Sequence, residues 1–307
     1  MKHFLSIAFL AAGFTESPEA MTLARRAFEQ AKAGQLEEAA SALREASRLA
    51  PANALYRSAL GGVLERHGKV DEAISAFAEA MRLDPANGQI RAHLESLSLE
   101  RGAVLARERR YRAGLVLARE TVARFSRTAA AQIMLGLFCT RNQQNLAAVD
   151  AYRRALLIDP TSAEASVGLG IAQSSAGLTG EAQATFEAGL KSFPADAIHR
   201  QAYGVLLVKM AEAGAAPFQR AAGMFTSALQ LDPTLAEAHY QLGNLDLARG
   251  DAAAALTRFE AAQRNGLDDA RLHYAAARAL RRAGREAEAD RRLELFRIRK
   301  AAEEQGQ

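Results

Sequence analysis

Proline spacing is the feature that most constrains the fold of this chain of 307 residues. Five of its seven prolines are separated by 34, 75, 34 and 39 residues, and 75 is twice 34 plus seven; they are Pro51, Pro85, Pro160, Pro194 and Pro233. Proline ends helices because it lacks an amide donor and its ring clashes with the preceding turn. A period of about 20 to 50 residues is typical of stacked repeat units. The spacing therefore predicts a chain of consecutive helical pairs.

Other residues recur in register with the prolines. In four units a pair ending in glycine precedes the proline, an alanine follows the pair, and an aromatic residue stands four positions after the alanine. A fifth unit has the same columns with Leu267 in place of proline, and the unit that ends at Pro51 lacks the pair. The pairs are Leu60-Gly61, Leu135-Gly136, Leu169-Gly170, Tyr203-Gly204 and Leu242-Gly243, and the aromatic residues are Phe77, Tyr152, Phe186, Phe225 and Phe259. Small residues predict a close helix crossing, and the aromatic residues, on the same helical face as the alanines, fill the gap to the next unit. Gly68, Gly177 and Gly250 predict left-handed turns that end the first helix of a pair.

These columns resemble the tetratricopeptide repeat, and the resemblance covers the chain from Ser17 to about Lys300. It implies an all-α fold, an α-solenoid in which antiparallel helix pairs stack into a right-handed superhelix of about eight repeats. The array is expected over residues 17–303. The expected repeats span residues 19–53, 54–87, 88–128, 129–162, 163–196, 197–235, 236–269 and 270–303.

Two units depart from the period, and the terminal units are atypical. Seven extra residues fall between Gly102 and Gly114 and are expected to add two helical turns. The segment 211–217 supplies five more and is expected to form a loop. After the eighth pair, a charged helix is expected over residues 291–304. Polar terminal repeats are typical caps of a repeat array.

The N-terminus reads as a separate segment. Lys2 precedes an uncharged run over residues 4–14, and the first acidic residue is Glu16. A basic start followed by a short apolar run predicts a signal peptide within residues 1–14, and hence export to the periplasm or the outside of a bacterial cell. The alternative is a cytoplasmic protein with an apolar tail. Ser17-Pro18 predicts the start of the first helix, and no apolar run reaches the ~18–20 residues of a transmembrane helix.

Motifs for catalysis are not found in the sequence, which has no P-loop, zinc-type Cys/His spacing or nucleophile elbow. His239 and His273 occupy equivalent positions in successive repeats, and Cys139 stands in a column that faces the second helix. We interpret all three as packing residues. The sequence therefore predicts a non-enzymatic protein with no catalytic, cofactor-binding or metal-binding residues.

The resemblance implies a binding groove lined by the first helix of each pair. The residues that it places there, and that we predict to bind a protein or peptide, are Ile133, Leu137, Val167, Ile171, Val205, Val208, Tyr240, Asn244, Tyr274, Arg278 and Arg281. This stripe is apolar in the middle, then aromatic, then basic. A contiguous apolar patch usually marks a partner site. The alternative is that these side chains pack against neighbouring first helices.

Charge suggests a second hypothesis. The net charge is +4, and residues 264–300 contain eleven Lys and Arg against six Asp and Glu. This Arg-rich end is the alternative interface, for nucleic acid or another anionic surface. Acidic residues are interspersed there and aromatic residues for base stacking are nearly absent, so nucleic acid is the less favoured partner.

Overall fold

The structure, a computed structural model, describes residues 17–211 and 216–305 and contains sixteen helices and no strand in those residues. The first eight are α1 (Pro18–Lys32), α2 (Leu36–Leu49), α3 (Ala54–Arg66), α4 (Val70–Leu83), α5 (Gly88–Arg107), α6 (Tyr111–Arg124), α7 (Ala129–Arg141) and α8 (Asn145–Ile158). The others are α9 (Ala163–Ser175), α10 (Thr179–Ser192), α11 (Ala197–Ala211), α12 (Ala216–Leu231), α13 (Ala236–Ala248), α14 (Ala252–Arg264), α15 (Ala270–Arg282) and α16 (Glu286–Gln305). The predicted signal segment, 1–14, and residues 212–215 of the second insertion lie outside the described residues.

The helices pack in consecutive pairs, as the period predicts. Each of the five repeat-ending prolines stands two residues after the end of a second helix, namely α2, α4, α8, α10 and α12. α1 begins at Pro18, which confirms the predicted start, although the Ser17 side chain makes no capping hydrogen bond. The all-α, paired-helix fold is therefore confirmed.

The chain divides into two compact units, with the boundary inside α7. Unit 1 ends at Met134 and unit 2 begins at Leu135. The core of unit 1 includes Leu64, Phe77 and Leu94. A large core cluster of unit 2 surrounds Phe186, Tyr203 and Phe225.

The glycine and aromatic columns form the helix crossings. A Cβ atom at Gly61 would lie 2.8 Å from the ring of Phe77, so only glycine fits beneath the ring. Phe77 also meets His93 of the next pair, with ring centroids 4.8 Å apart. Tyr152 lies in the same way between Gly136 of its own pair and Gly168 of the next. The aromatic residues thus fill the gap to the next unit, as predicted.

Left-handed turns join the two helices of most pairs. The glycines at this position have φ between +73° and +91°; they are Gly34, Gly68, Gly177, Gly250 and Gly284. Gly102, one period after Gly68, instead lies inside α5, which has 20 residues against 13 in α3. The insertion has lengthened the helix, and the turn falls seven residues later at Arg109, with φ +57°. Gln143 occupies the same position after α7, with φ +60°.

The last helix is longer than expected. α16 is one continuous helix of 20 residues, so the predicted separate charged helix over 291–304 is wrong as a separate element. Its end is tied back to the start of α15, because Arg299 pairs with Asp268 and a carboxylate oxygen of Glu303 accepts from the amide of Ala270 at 3.0 Å. None of the helices described in 17–211 and 216–305 is both long and apolar enough to cross a membrane.

Candidate protein-binding face

The predicted groove residues occupy the fifth, ninth and twelfth positions of the first helices. These positions fall on one side of a helix because they are spaced i, i+4 and i+7. In unit 2 the first helices α9, α11, α13 and α15 contact one another in turn, so their equivalent sides adjoin. We call these positions of α9, α11, α13 and α15 the first-helix face. Of the predicted residues on α7, Ile133 belongs to unit 1 and Leu137 to unit 2, and both are half-buried.

The apolar part of the face is unevenly covered. Val167 is buried, whereas Ile171, one turn later on α9, is 41% exposed. Val205 and Val208 of α11 are half-buried and pack against the core cluster around Tyr203. The stripe therefore contains both core side chains and side chains with an open surface.

A further apolar residue on this side was not predicted. Ile198 of α11 is 45% exposed. It stands three residues before Gln201 and seven before Val205, so it lies on the same side of the helix. That spacing is present in the sequence, but the family resemblance placed only the fifth, ninth and twelfth residues of each first helix in the groove.

The aromatic part of the face is held by charged neighbours. The Arg271 guanidinium lies 5.0 Å from the ring centre of Tyr240. Arg271 also pairs with Glu237 at 3.0 Å and with Asp269 at 2.7 Å. The other side of Tyr240 meets Phe259, with ring centroids 6.0 Å apart. Tyr240 is consequently half-buried and oriented from two sides.

The basic end of the face is the most open part. Tyr274 is 48% exposed and packs on Phe296 with ring centroids 5.4 Å apart. Arg278 lies 6.0 Å from the Tyr274 ring, and no carboxylate among the described residues is within ion-pairing distance of it. Arg281 is 3.6 Å from Asp290. An anionic group of a partner can therefore reach Arg278.

A polar network ties α11 to the second helices on either side. One carboxylate oxygen of Glu187 accepts hydrogen bonds from Gln183 at 3.0 Å, Tyr203 at 2.8 Å and Arg220 at 2.9 Å. The hydrogen bonds from Gln183, Tyr203 and Arg220 lower the pKa of Glu187 to about 2. Burial, followed by the hydrogen bond to Glu187, raises the pKa of Tyr203 to about 12. The network joins α10, α11 and α12, and so supports the helix that carries Val205 and Val208.

A serine, a histidine and an aspartate also come together in unit 2. His199 Nε2 lies 3.1 Å from Ser166 Oγ, and its Nδ1 lies 3.3 Å from Asp196 Oδ2. The His199 ring is fully buried, and a Cβ at Gly189 would lie 2.1 Å from Nε2. No substrate can reach a ring enclosed in this way. Asp196 also accepts from the amides of residues 198 and 199, so we interpret the group as a packing and helix-capping network.

The two histidines at equivalent repeat positions, His239 and His273, and the cysteine have structural environments. Cys139 is buried, as predicted. His273 is buried with Nε2 2.8 Å from Asp268 Oδ1, and His239 Nε2 lies 3.1 Å from the carbonyl oxygen of Pro233. Within the described ranges, no three His, Cys, Asp or Glu side chains are grouped to hold a metal ion.

The Arg-rich C-terminal end is largely paired with acids. Six of the eleven basic side chains of 264–300 form ion pairs; they are Arg271, Arg281, Arg285, Arg297, Arg299 and Lys300. Another, Arg292, donates to Gln263 at 3.0 Å and to His273 Nδ1 at 3.2 Å. The positive charge counted in the sequence is thus partly neutralised by ion pairs within this end of unit 2.

Comparison with solved structures identifies the same architecture elsewhere. A tetratricopeptide repeat protein from Parabacteroides merdae matches with a TM-score of 0.55 and 18% identity, over 86% of this chain and 100% of that chain. The APC/C hetero-tetramer Cut9-Hcn1 matches with a TM-score of 0.55 and 14% identity, over 92% of this chain and 54% of that chain. The IFIT1 monomeric mutant with Gppp-AAAA matches with a TM-score of 0.57 and 16% identity, over 95% of this chain and 71% of that chain. At such identities the likeness shows the fold alone.

Sequence comparison gives the family. No curated protein matches the chain significantly. The tetratricopeptide repeat family model matches residues 25–88, 99–163 and 240–290, which together make up more than half of the chain. With the paired helices and the glycine and aromatic columns, this match shows that the chain belongs to the tetratricopeptide repeat family.

Proposed function

We propose that this protein is a non-catalytic scaffold that binds a peptide or a helix of a partner protein along the first-helix face. The family consists of repeat scaffolds typical of protein–protein interaction. Membership does not choose the ligand, because the similar structures include one protein hetero-tetramer and one complex with Gppp-AAAA. The choice of a protein partner therefore rests on the chemistry of the face.

The observation that supports the proposal is the incompletely covered apolar stripe. Ile171 and Ile198 each expose more than two fifths of their surface on adjoining helices. Val205 and Val208 add apolar surface that the core covers only in part. Exposed apolar surface that is contiguous is typical of a partner site, and an amphipathic helix or an extended segment can cover it.

The chemistry of the face indicates which groups a partner segment would place along it. Apolar side chains of the partner would lie over Ile171 and Val205. A carboxylate would lie near Arg278, which no described acid pairs with. Because guanidinium binds carboxylates bidentately, this contact would set the direction of the partner segment.

Matched carboxylate substitutions test the proposal. Ile171→Asp should abolish capture of the native partner, measured by affinity purification and mass spectrometry, while circular dichroism stays that of the wild type. Leu157→Asp is the control, because Leu157 is 83% exposed on the second helix α8, away from the face. Equal capture by the wild type and Ile171→Asp would show that the first-helix face is not the partner site. Equal loss in both variants would point to a general effect of the added charge.

We also propose that residues 1–14 direct export. The basic Lys2 and the apolar run over 4–14 support this. The intact mass of the protein from its native host should correspond to a chain that begins close to Ser17. A full-length mass in the cytoplasmic fraction would disprove export.

A further inference from the structure

A second concentration of positive charge lies in unit 1. Residues 101–127 contain eight arginines against Glu108 and Glu120, a net charge of +6 in a chain whose total is +4. The segment covers the end of α5, the left-handed turn and all of α6. The remaining 280 residues therefore sum to −2.

Half of these arginines have no ion-pair partner among the described residues. Arg101 makes a bidentate pair with Asp71 at 2.8 Å, Arg110 lies 3.5 Å from Glu108, and Arg124 lies 3.3 Å from Glu120. Four others are exposed, and no carboxylate in the described ranges is within ion-pairing distance of them; they are Arg107, Arg109, Arg112 and Arg127.

The outer side of α6 mixes this charge with an apolar residue. Arg112, Val116 and Arg119 follow the i, i+4, i+7 spacing and so lie on one side of the helix. All three are exposed, Val116 by 59%. The outer side of the preceding second helix, α4, instead exposes Asp71, Glu72 and Glu79. The outer side of α6 therefore differs in charge from that of α4.

The turn before α6 carries an arginine in a left-handed conformation. Arg109 has φ +57° at a position where five other turns place glycine. A side chain is disfavoured in this conformation because its Cβ crowds the following carbonyl oxygen. Gln143 has the same conformation one repeat later, so this position tolerates a side chain, and the Arg109 side chain is left exposed.

We infer that this surface, the arginine face formed by Arg107, Arg109, Arg112 and Val116, binds an acidic amphipathic helix of another protein. A carboxylate of the partner pairs with Arg112, and an apolar side chain one helical turn away covers Val116. Guanidinium groups bind carboxylates in a planar, bidentate geometry. The face exposes no aromatic side chain to stack with nucleic-acid bases, and one valine is too little apolar surface to enter a bilayer. The inference is independent of the first-helix face, which shares no residue with it.

A designed peptide tests the inference with the full chain. The probe is a fluorescent synthetic helix of about 20 residues, long enough to be helical in water, with Glu and Leu at i and i+4. A second peptide carries Lys in place of the Glu. Fluorescence anisotropy should show binding of the acidic peptide alone, weakened by about tenfold in Arg112→Glu, because a like charge then faces the partner carboxylate. Val116→Ser should weaken it by a smaller factor, which a purely electrostatic contact would not show.

The controls separate a site from a general charge effect. Lys191→Glu makes the same change of charge at an exposed residue of unit 2 that has no described ion pair, and it should bind like the wild type. Arg109→Gly removes a cation while suiting the left-handed turn, so it should fold and still bind more weakly. Equal affinity of wild type and Arg112→Glu, or equal loss in Lys191→Glu, overturns the inference. Tighter Arg112-dependent binding to duplex DNA or to vesicles of anionic lipid than to the peptide also overturns it.

Discussion

The first-helix face of unit 2 and the arginine face of unit 1 are built on the same repeat but leave different chemistry exposed. The first belongs partly to the core, since Val205 and Val208 pack on the cluster around Tyr203. The second consists of side chains that point away from the core, on a helix whose buried side is formed by other residues such as Leu115 and Ala118. Packing between repeats therefore restricts which side chains the first-helix face can carry. The arginine face can carry different side chains without a loss of core packing.

The largest difference in the free energy of unfolding is expected between variants at two positions of the first-helix face. Val167→Asp should lower the free energy of unfolding by more than about 3 kcal/mol, because it buries a carboxylate without a partner. Ile171→Asp, one turn away and 41% exposed, should lower it by less than about 1 kcal/mol. Urea titration followed by circular dichroism measures both. Similar losses in the two variants would show that the whole stripe is core.

A substitution at the helix crossing of the same repeat should have a smaller effect on the free energy of unfolding. A Cβ at Gly170 would lie 2.6 Å from the Phe186 ring, so Gly170→Ala should cost about 1–3 kcal/mol of unfolding free energy through overpacking. Gly180→Ala is the control, because no atom lies within 4 Å of its added Cβ and alanine favours the helix. A thermal melt of Gly170→Ala that matches the wild type would contradict the crossing geometry.

Acid should weaken unit 2 through Glu187. Its pKa falls from 4.5 to about 2 on folding, so its contribution is present above pH 4.5 and is lost as the pH falls through about 2. Glu187→Gln should therefore have a flatter dependence of stability on pH between 4.5 and 2, measured by urea unfolding at several pH values. Gln183→Ala removes the first of the three donors, so it should raise the pKa of Glu187 in the folded chain. The loss of stability should then be complete at a higher pH than in the wild type. An unchanged slope in Glu187→Gln would show that other carboxylates govern this range.

The smallest effects are expected at the two turns without glycine. Arg109→Gly and Gln143→Gly should each raise the unfolding free energy by about 1 kcal/mol or less, because glycine relieves the left-handed strain but loses more conformational entropy on folding. Only the first change should also weaken binding of the acidic peptide. Equal peptide binding by both variants would separate Arg109 from the arginine face.

Several features of the site could not be read from the sequence. The two extra helical turns were expected from the seven inserted residues, and α5 has seven residues more than α3. The sequence did not predict that the left-handed turn falls on Arg109, because arginine does not mark such a turn. Val167 and Ile171 look equivalent as aliphatic residues of one stripe, and only their neighbours decide that one is buried and the other open. The contact between Ser166 and His199 joins residues 33 positions apart, and no local motif marks it.

The sequence by itself determined the helical pairs, their ends and their crossings. Proline and glycine act on the backbone at their own positions, and the glycine and aromatic columns recur in register, so these features follow from local rules that are repeated along the chain. The tertiary structure alone decided which surface stays open and which charge stays unpaired. Arg271 is neutralised by Glu237, 34 residues away, whereas Arg112 has no described partner. Burial and ion pairing are through-space properties set by the side chains of adjoining repeats, and sequence spacing does not report them.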